Sequence, residues 1–279
     1  MNKYILYTVL LSLFFFSCVE ENLNNIAENQ FVVEAFIYAG EPINDIRIKS
    51  SFPLADEEDN SVPINDAQVT LMKGSQSYSL ISSGQDGFYH YPGNDAEVTT
   101  GDVFHLEIQH NGIIATAQTI VPTPTTGLQL SKDTVLVPEL PLREGREAVQ
   151  MVIGEFIRNS SIDAIWDNPN DDLYFMIVES LSEQTDPIFP DVVTNALERF
   201  RFVSEPTNDS MLTFLSGTLV SFGTYQVRVY HINQEYAALY ENREQDSRDL
   251  NEPPSNVTNA LGVFSAFNSQ NAFFELARE

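Results

Sequence analysis

From residue 31 the chain sets apolar and polar side chains in short runs, many alternating with period two and separated by turn residues. Phe31-Val32-Val33-Glu34-Ala35-Phe36-Ile37-Tyr38 is β-branched and aromatic and stops at Gly40-Glu41-Pro42. Residues 46–49 alternate apolar with basic, the pattern of a strand with one wet face. Residues 67–71, 77–81, 87–91, 103–109 and 113–121 continue the series, and His110-Asn111-Gly112 supplies a hairpin turn between the last two. Strands at this spacing predict a β-sandwich. Pro122-Thr123-Pro124-Thr125-Thr126-Gly127 then interrupts the pattern, since two prolines remove donors and favour extended backbone. Strand-like runs resume at 127–137, 148–158, 173–180, 200–204 and 224–231. One later segment has helical spacing: Asn233 as a cap, then Tyr236, Leu239 and Tyr240 at i, i+3 and i+4, a stripe suited to covering a sheet.

The pattern predicts an all-β protein of two β-sandwich domains. An Ig-like or transthyretin-like sandwich spans 30–122, a short stiff linker 123–127, and a β-rich domain with one covering helix 128–279. Each half is expected to fold independently.

The N-terminal stretch follows a different rule. Met1-Asn2-Lys3 carries one positive charge, residues 4–16 are almost wholly apolar, and Ser17 precedes Cys18. A short basic start, an apolar run too short to span a bilayer and a small residue at its end describe a secretory signal peptide over 1–17. The placement of Cys18 resembles the lipobox of bacterial lipoproteins, which implies a diacylated cysteine as the new N-terminus. Phe15 and Phe16 stand where lipoboxes usually carry Leu and a small residue, a looseness shared with Bacteroidetes lipoproteins. One acyl chain of roughly 15 buried CH₂ groups contributes about 12 kcal/mol to anchoring, and further chains make attachment effectively permanent. An ordinary secretion signal cut nearby, with the thiol incidental, is the plainer alternative. Residues 18–29 then read as a lipidated cysteine and an acidic, Asn-rich tether. Glu20 and Glu21, just behind the cysteine, resemble the surface-export signal of Bacteroidetes lipoproteins. The expected location is therefore the outer membrane, lipid-anchored and facing outward, with the periplasmic face second.

Charge narrows the partners. The 279 residues hold 14 Lys and Arg against 40 Asp and Glu, a formal net charge of −26. Such a surface repels nucleic acid and anionic headgroups, and no basic cluster offsets it. Cys18 is the single cysteine, so its lipidation leaves no thiol for a disulfide, redox or Cys-based metal site.

Several signatures line up along the mature chain. Pro63-Ile64-Asn65-Asp66-Ala67-Gln68-Val69 followed by Asp86-Gly87-Phe88-Tyr89 resembles transthyretin-like and carboxypeptidase-regulatory-like sandwiches. Gly101-Asp102-Val103-Phe104, Trp166-Asp167-Asn168-Pro169 and the closing Ser255-Asn256-Val257-Thr258-Asn259-Ala260-Leu261-Gly262-Val263-Phe264 follow in order. With the lipobox, this succession resembles the DUF4249 family of Bacteroidetes lipoproteins, apart from Ala260, where glycine is usual. The resemblance implies a partner, a TonB-dependent outer-membrane receptor, and brings no catalytic residues with it.

Candidate chemistry is thin. His105 and His110 fall on opposite faces of one strand and His90 lies in another, so three or four converging zinc ligands are not expected. Asp56-Glu57-Glu58-Asp59 and Asn168-Pro169-Asn170-Asp171-Asp172 are oxygen-rich, but neither follows a calcium-loop pattern; solvated loop acids are the expectation, with Trp166 in the core beside the second loop. There is no G-x-S-x-G, S-x-x-K, P-loop or dinucleotide fingerprint. Phe189 and Phe222 are loop aromatics, more often packed than presented. No cofactor and no metal are expected. The functional expectation is a non-catalytic accessory lipoprotein that works with a TonB-dependent receptor in nutrient uptake. The alternative is a surface hydrolase of glycan or peptide.

Overall fold

A computed structural model of the chain describes residues 31–51, 61–141, 143–182, 186–188, 201–241 and 254–279. The first half contains β1 (Phe31–Tyr38), β2 (Asp45–Ser50), β3 (Gln68–Lys73), β4 (Gln76–Ser82), β5 (Phe88–His90), β6 (Val103–His110) and β7 (Ile113–Ile120). The second contains β8 (Gln129–Leu130), β9 (Thr134–Val137), α1 (Arg146–Asn159), β10 (Ser161–Ile165), β11 (Leu173–Ser180), β12 (Asp186–Pro187), β13 (Arg201–Val203) and β14 (Met211–Leu215). It ends with β15 (Ser221–Ile232), α2 (Gln234–Glu241) and β16 (Leu261–Arg278).

Period-two alternation in β1 sends Phe31, Val33, Ala35 and Ile37 inward, where all are essentially inaccessible. They meet Ile46 and Ile48 of β2, Val69 and Leu71 of β3, and Phe104, Leu106 and Ile108 of β6 in one core. Burying such side chains stabilises the fold by about 1.5–3 kcal/mol each. The turn between β6 and β7 has Asn111 at φ 48 and Gly112 at φ 81, the left-handed pair of a tight hairpin, and His110 opposes Ile113 across it.

The second core lies between β9, β11, β15 and the end of β16 on one side and the separate β14-β10-β8 sheet on the other. Met176, Val178, Tyr225, Val227, Phe274 and Leu276 face Ile162, Ala164 and Phe214 there. The fold is thus an all-β pair of sandwiches, as the alternation predicts, with two α-helices among the described residues where one was expected.

Residues 148–158, read as strand-like, are helical instead. Val149, Val152, Ile153, Phe156 and Ile157 recur at i, i+3, i+4, i+7 and i+8, the spacing of one helix face. Their β-branched composition hides that period. Phe156 enters the second core.

The 18-residue strand β16 joins the sandwiches. Its first part runs parallel to β1, from Leu261 opposite Val32 to Phe267 opposite Tyr38. Its remainder runs antiparallel to β15 and, at the far end, parallel to β9. Along one face, Phe264 and Ala266 complete the first core, Asn268 and Gln270 follow, and Phe274 and Leu276 complete the second. The two polar residues hold the proline-bearing segment: Asn268 donates to the Pro122 carbonyl at 3.0 Å, and Gln270 accepts from the Leu128 amide at 3.0 Å. Thr125 adds a bond to the Val229 carbonyl at 3.0 Å. The first core therefore extends beyond the expected 30–122, taking in Val257, Ala260, Phe264 and Ala266 from the other end of the chain. Asn256 and Asn259 secure this closing segment through carbonyls of Phe264 and Ile114.

Candidate functional site

On the outer face of the continuous sheet, where the two sandwiches meet, aromatic side chains gather. Phe36 and Tyr38 occupy outward positions of β1, Phe175 of β11, Tyr230 of β15 and Phe267 of β16. Each comes from a strand whose opposite face is already buried, so these strands are covered on both sides. Helix α2 covers the cluster through Tyr236 and Ala237. The helix is tied down by Glu235, which accepts from Thr119 at 2.7 Å and Ser265 at 3.3 Å. The side-chain amide of Asn233 donates to the carbonyls of Ile120 and Ala266. Of the expected stripe, Tyr236 packs on the cluster and the buried helix residue is Ala237; Leu239 stays half-exposed.

The rings interlock. Phe175 stacks on Tyr230 at 4.8 Å and 7°, Tyr38 on Phe267 at 5.2 Å and 20°, and Tyr236 meets Phe267 edge-on at 4.9 Å. They leave a cleft of about 290 Å³ lined also by Ile177, Val203, Asp45 and Arg201. The Tyr38 hydroxyl donates to Asp45 at 2.9 Å. Burial, then the neighbouring Asp45 carboxylate, holds that hydroxyl far above the ordinary phenol range. Tyr230 is raised as well, by burial, against the opposing pull of Arg228. Both phenols are therefore neutral, and the charges lining the cleft are those of Asp45 and Arg201. Beside it, Arg228 bonds Glu41 at 2.8 Å, Asn271 at 2.9 Å and the Tyr230 oxygen at 3.1 Å. The Arg228–Glu41 pair thereby ties the second half of the chain to the first.

Two other hollows are less suited to a small ligand. One of 590 Å³ between β9 and α1 is a wide groove with Leu136, Val152 and Phe156 in its wall. One of 400 Å³ surrounds the β6–β7 turn and is shallow and polar.

Among the described residues, those singled out in the sequence do not assemble into a catalytic or metal centre. Cys18, Glu20, Glu21, Phe189 and the acids at 56–59 lie outside the described residues. His105 is exposed and His110 points to the other side of β6, 3.4 Å from Asp66 and edge-on to Phe31. His90 sits apart in β5. Among the described residues, no group of three or more His, Cys, Asp or Glu is placed to hold a metal. The loop at 168–172 closes on itself: Asn168 bonds both the amide and the carbonyl of Asp172 and the carbonyl of Asn208. Trp166 is buried in the second core beside Tyr174, as expected. Phe222 lies under the Arg278 guanidinium at 4.1 Å, and that group also holds Asp186 with two 2.8 Å bonds.

Sequence reasoning missed the aromatic cleft. The signal was present in β11, where six consecutive apolar residues from Leu173 break the alternation expected of a half-wet strand. It also missed His231, which is buried, stacks on Tyr174 at 4.9 Å and donates from Nδ1 to the Thr123 carbonyl at 2.8 Å.

No curated protein matches the sequence. Among solved structures, domains A168–A170 from titin align with 13% identity and a TM-score of 0.20, covering 74% of this chain. The alignment spans 61% of the titin chain. A family model described as a domain of unknown function matches residues 18–272, nearly the whole chain beyond the apolar leader, and the chain belongs to that family, DUF4249.

Proposed function

We propose that this protein is a non-catalytic binding component of the outer membrane, anchored through lipidated Cys18. In this reading it collects a small ligand and works with a TonB-dependent receptor in nutrient uptake. The observation that carries the binding role is the cleft at the seam. It is small and largely aromatic, and it holds one acidic and one basic group while neighbouring ion pairs are satisfied. Residues from both sandwiches line it, so its shape depends on the whole assembled sheet. The lipid anchor and the receptor rest on the lipobox-like leader and on the family resemblance. Glu20 and Glu21 support display at the outer face, where the ligand is met first.

Deleting the gene and measuring uptake of labelled nutrients tests the reading, with the purified protein assayed in parallel for glycan and peptide hydrolysis. Expected is impaired uptake of one nutrient class and no turnover. Unchanged uptake together with measurable hydrolase turnover replaces the binding role with the enzymatic one.

A further inference from the structure

Arg201 stands on the edge strand β13, exposed at the rim of the aromatic cleft. Its side chain makes no ion pair or hydrogen bond among the described residues, although Glu179 stands directly opposite it in the β11–β13 register. An unpartnered guanidinium is unusual in a chain with 40 acids and 14 bases. Asp45 lines the same cavity and gives one carboxylate oxygen to Tyr38, leaving the other without a partner among the described residues. The two opposite charges do not pair with each other. Between them lie neutral aromatic rings and the aliphatic Ile177 and Val203.

Ligand classes can be sorted against this arrangement. A monoanion would satisfy Arg201 but would approach against the field of a strongly negative protein and face Asp45. A monocation would leave Arg201 unpaired. A neutral saccharide would find hydrogen-bonding groups but would use neither charge as a charge. A small zwitterion with an apolar body meets every wall. Its ammonium goes to Asp45 and the tyrosine faces, its carboxylate to the Arg201 fork, and its side chain to the rings. Resting on the reading of the cleft as a binding site, we propose that its ligand class is a free amino acid or dipeptide with an aromatic or branched side chain. The volume, about 290 Å³ and just under the usual range for small-molecule sites, matches a ligand of one or two residues.

Calorimetric titration of the full chain in detergent tests this with four probes: leucylphenylalanine, its N-acetyl form, its carboxamide and glucose. Saturable binding of the free dipeptide is expected, weakened at least about tenfold by blocking either end. Arg201→Ala and Asp45→Asn should each cost a similar factor. In Arg201→Ala the carboxamide should bind no worse than in the parent, because the group it lacks is the one Arg201 holds. Both substitutions preserve the packing, since Arg201 is exposed and the amide oxygen introduced by Asp45→Asn still accepts from Tyr38; thermal unfolding checks this. Equal binding of blocked and free dipeptide overturns the zwitterion. Glucose binding abolished by Tyr236→Ala overturns the ligand class but leaves the cleft as a binding site. Binding that is insensitive to Tyr236→Ala, Asp45→Asn and Arg201→Ala, or absent with all four probes, overturns both.

Discussion

Gly262 is the second residue of the strand that joins the sandwiches, and its backbone is at φ +113. A β-carbon there would lie 2.0 Å from the Val33 carbonyl oxygen of the adjacent parallel strand. Neither the dihedral nor the space admits another residue, so Gly262→Ala should destabilise the protein by at least about 2 kcal/mol, read as a lowered midpoint in thermal or denaturant unfolding. Asp102 makes a different residue-scale prediction. Its carboxylate is partly desolvated, which opposes ionisation. Bonds from the Thr99 hydroxyl and amide and from Lys73 outweigh this and lower its pKa. A carboxyl depressed in the folded state contributes stability above its unfolded pKa, about 4, and loses it as pH falls through the folded value. Asp102→Asn should therefore flatten the acid limb of the stability profile below about pH 4, while leaving the shape near neutrality unchanged. An acid limb identical to the parent would refute the assignment. The Asn111-Gly112 turn was legible from two letters, because few residue pairs tolerate those dihedrals. Arg201, whose side chain is without a partner among the described residues, was not, since no sequence pattern says which of 14 basic residues will stand alone.

At the scale of elements, β1 to β7 were readable nearly to their ends because one face of each strand is dry and alternation reports that directly. Helix α1 was misread because its apolar residues are β-branched, so residue type argued for strand while spacing argued for helix. Strand β16 was unreadable for another reason. Its centre is Asn268-Ser269-Gln270-Asn271, a turn-like composition, yet Asn268 and Gln270 are polar because they hold the segment between the cores, and Asn271 because it accepts from Arg228. The same strand changes what the fragments should do. Residues 30–123 alone lack Phe264 and Ala266, and with them one wall of the first core. That fragment is expected to be aggregated or unfolded by circular dichroism and gel filtration. A cooperative unfolding transition from it would show that the first core closes without β16. In the intact chain, Phe264→Ala should cost about 3–5 kcal/mol in unfolding free energy.

At the scale of the molecule, the fold class was legible and the aromatic cleft was not. Sandwich architecture follows from strand patterning, which is local. The cleft arises where strands from both ends of the chain become neighbours, and register between them is a long-range property. Charge set an expectation: a chain of net charge −26 repels nucleic acid and anionic membranes, which directs attention to proteins and small ligands. The leader makes its own prediction: Cys18→Ala should release the protein into a soluble fraction or leave it as uncleaved precursor, whereas a variant still fractionating as a mature membrane protein would contradict lipid anchoring. The proposed role of this protein is binding, in partnership with a receptor. Affinity purification of the native protein from detergent-solubilised outer membranes tests it most directly. A TonB-dependent receptor in stable complex with it after mild detergent is the expected result; a lone monomer that turns over a glycan or peptide substrate overturns the binding role.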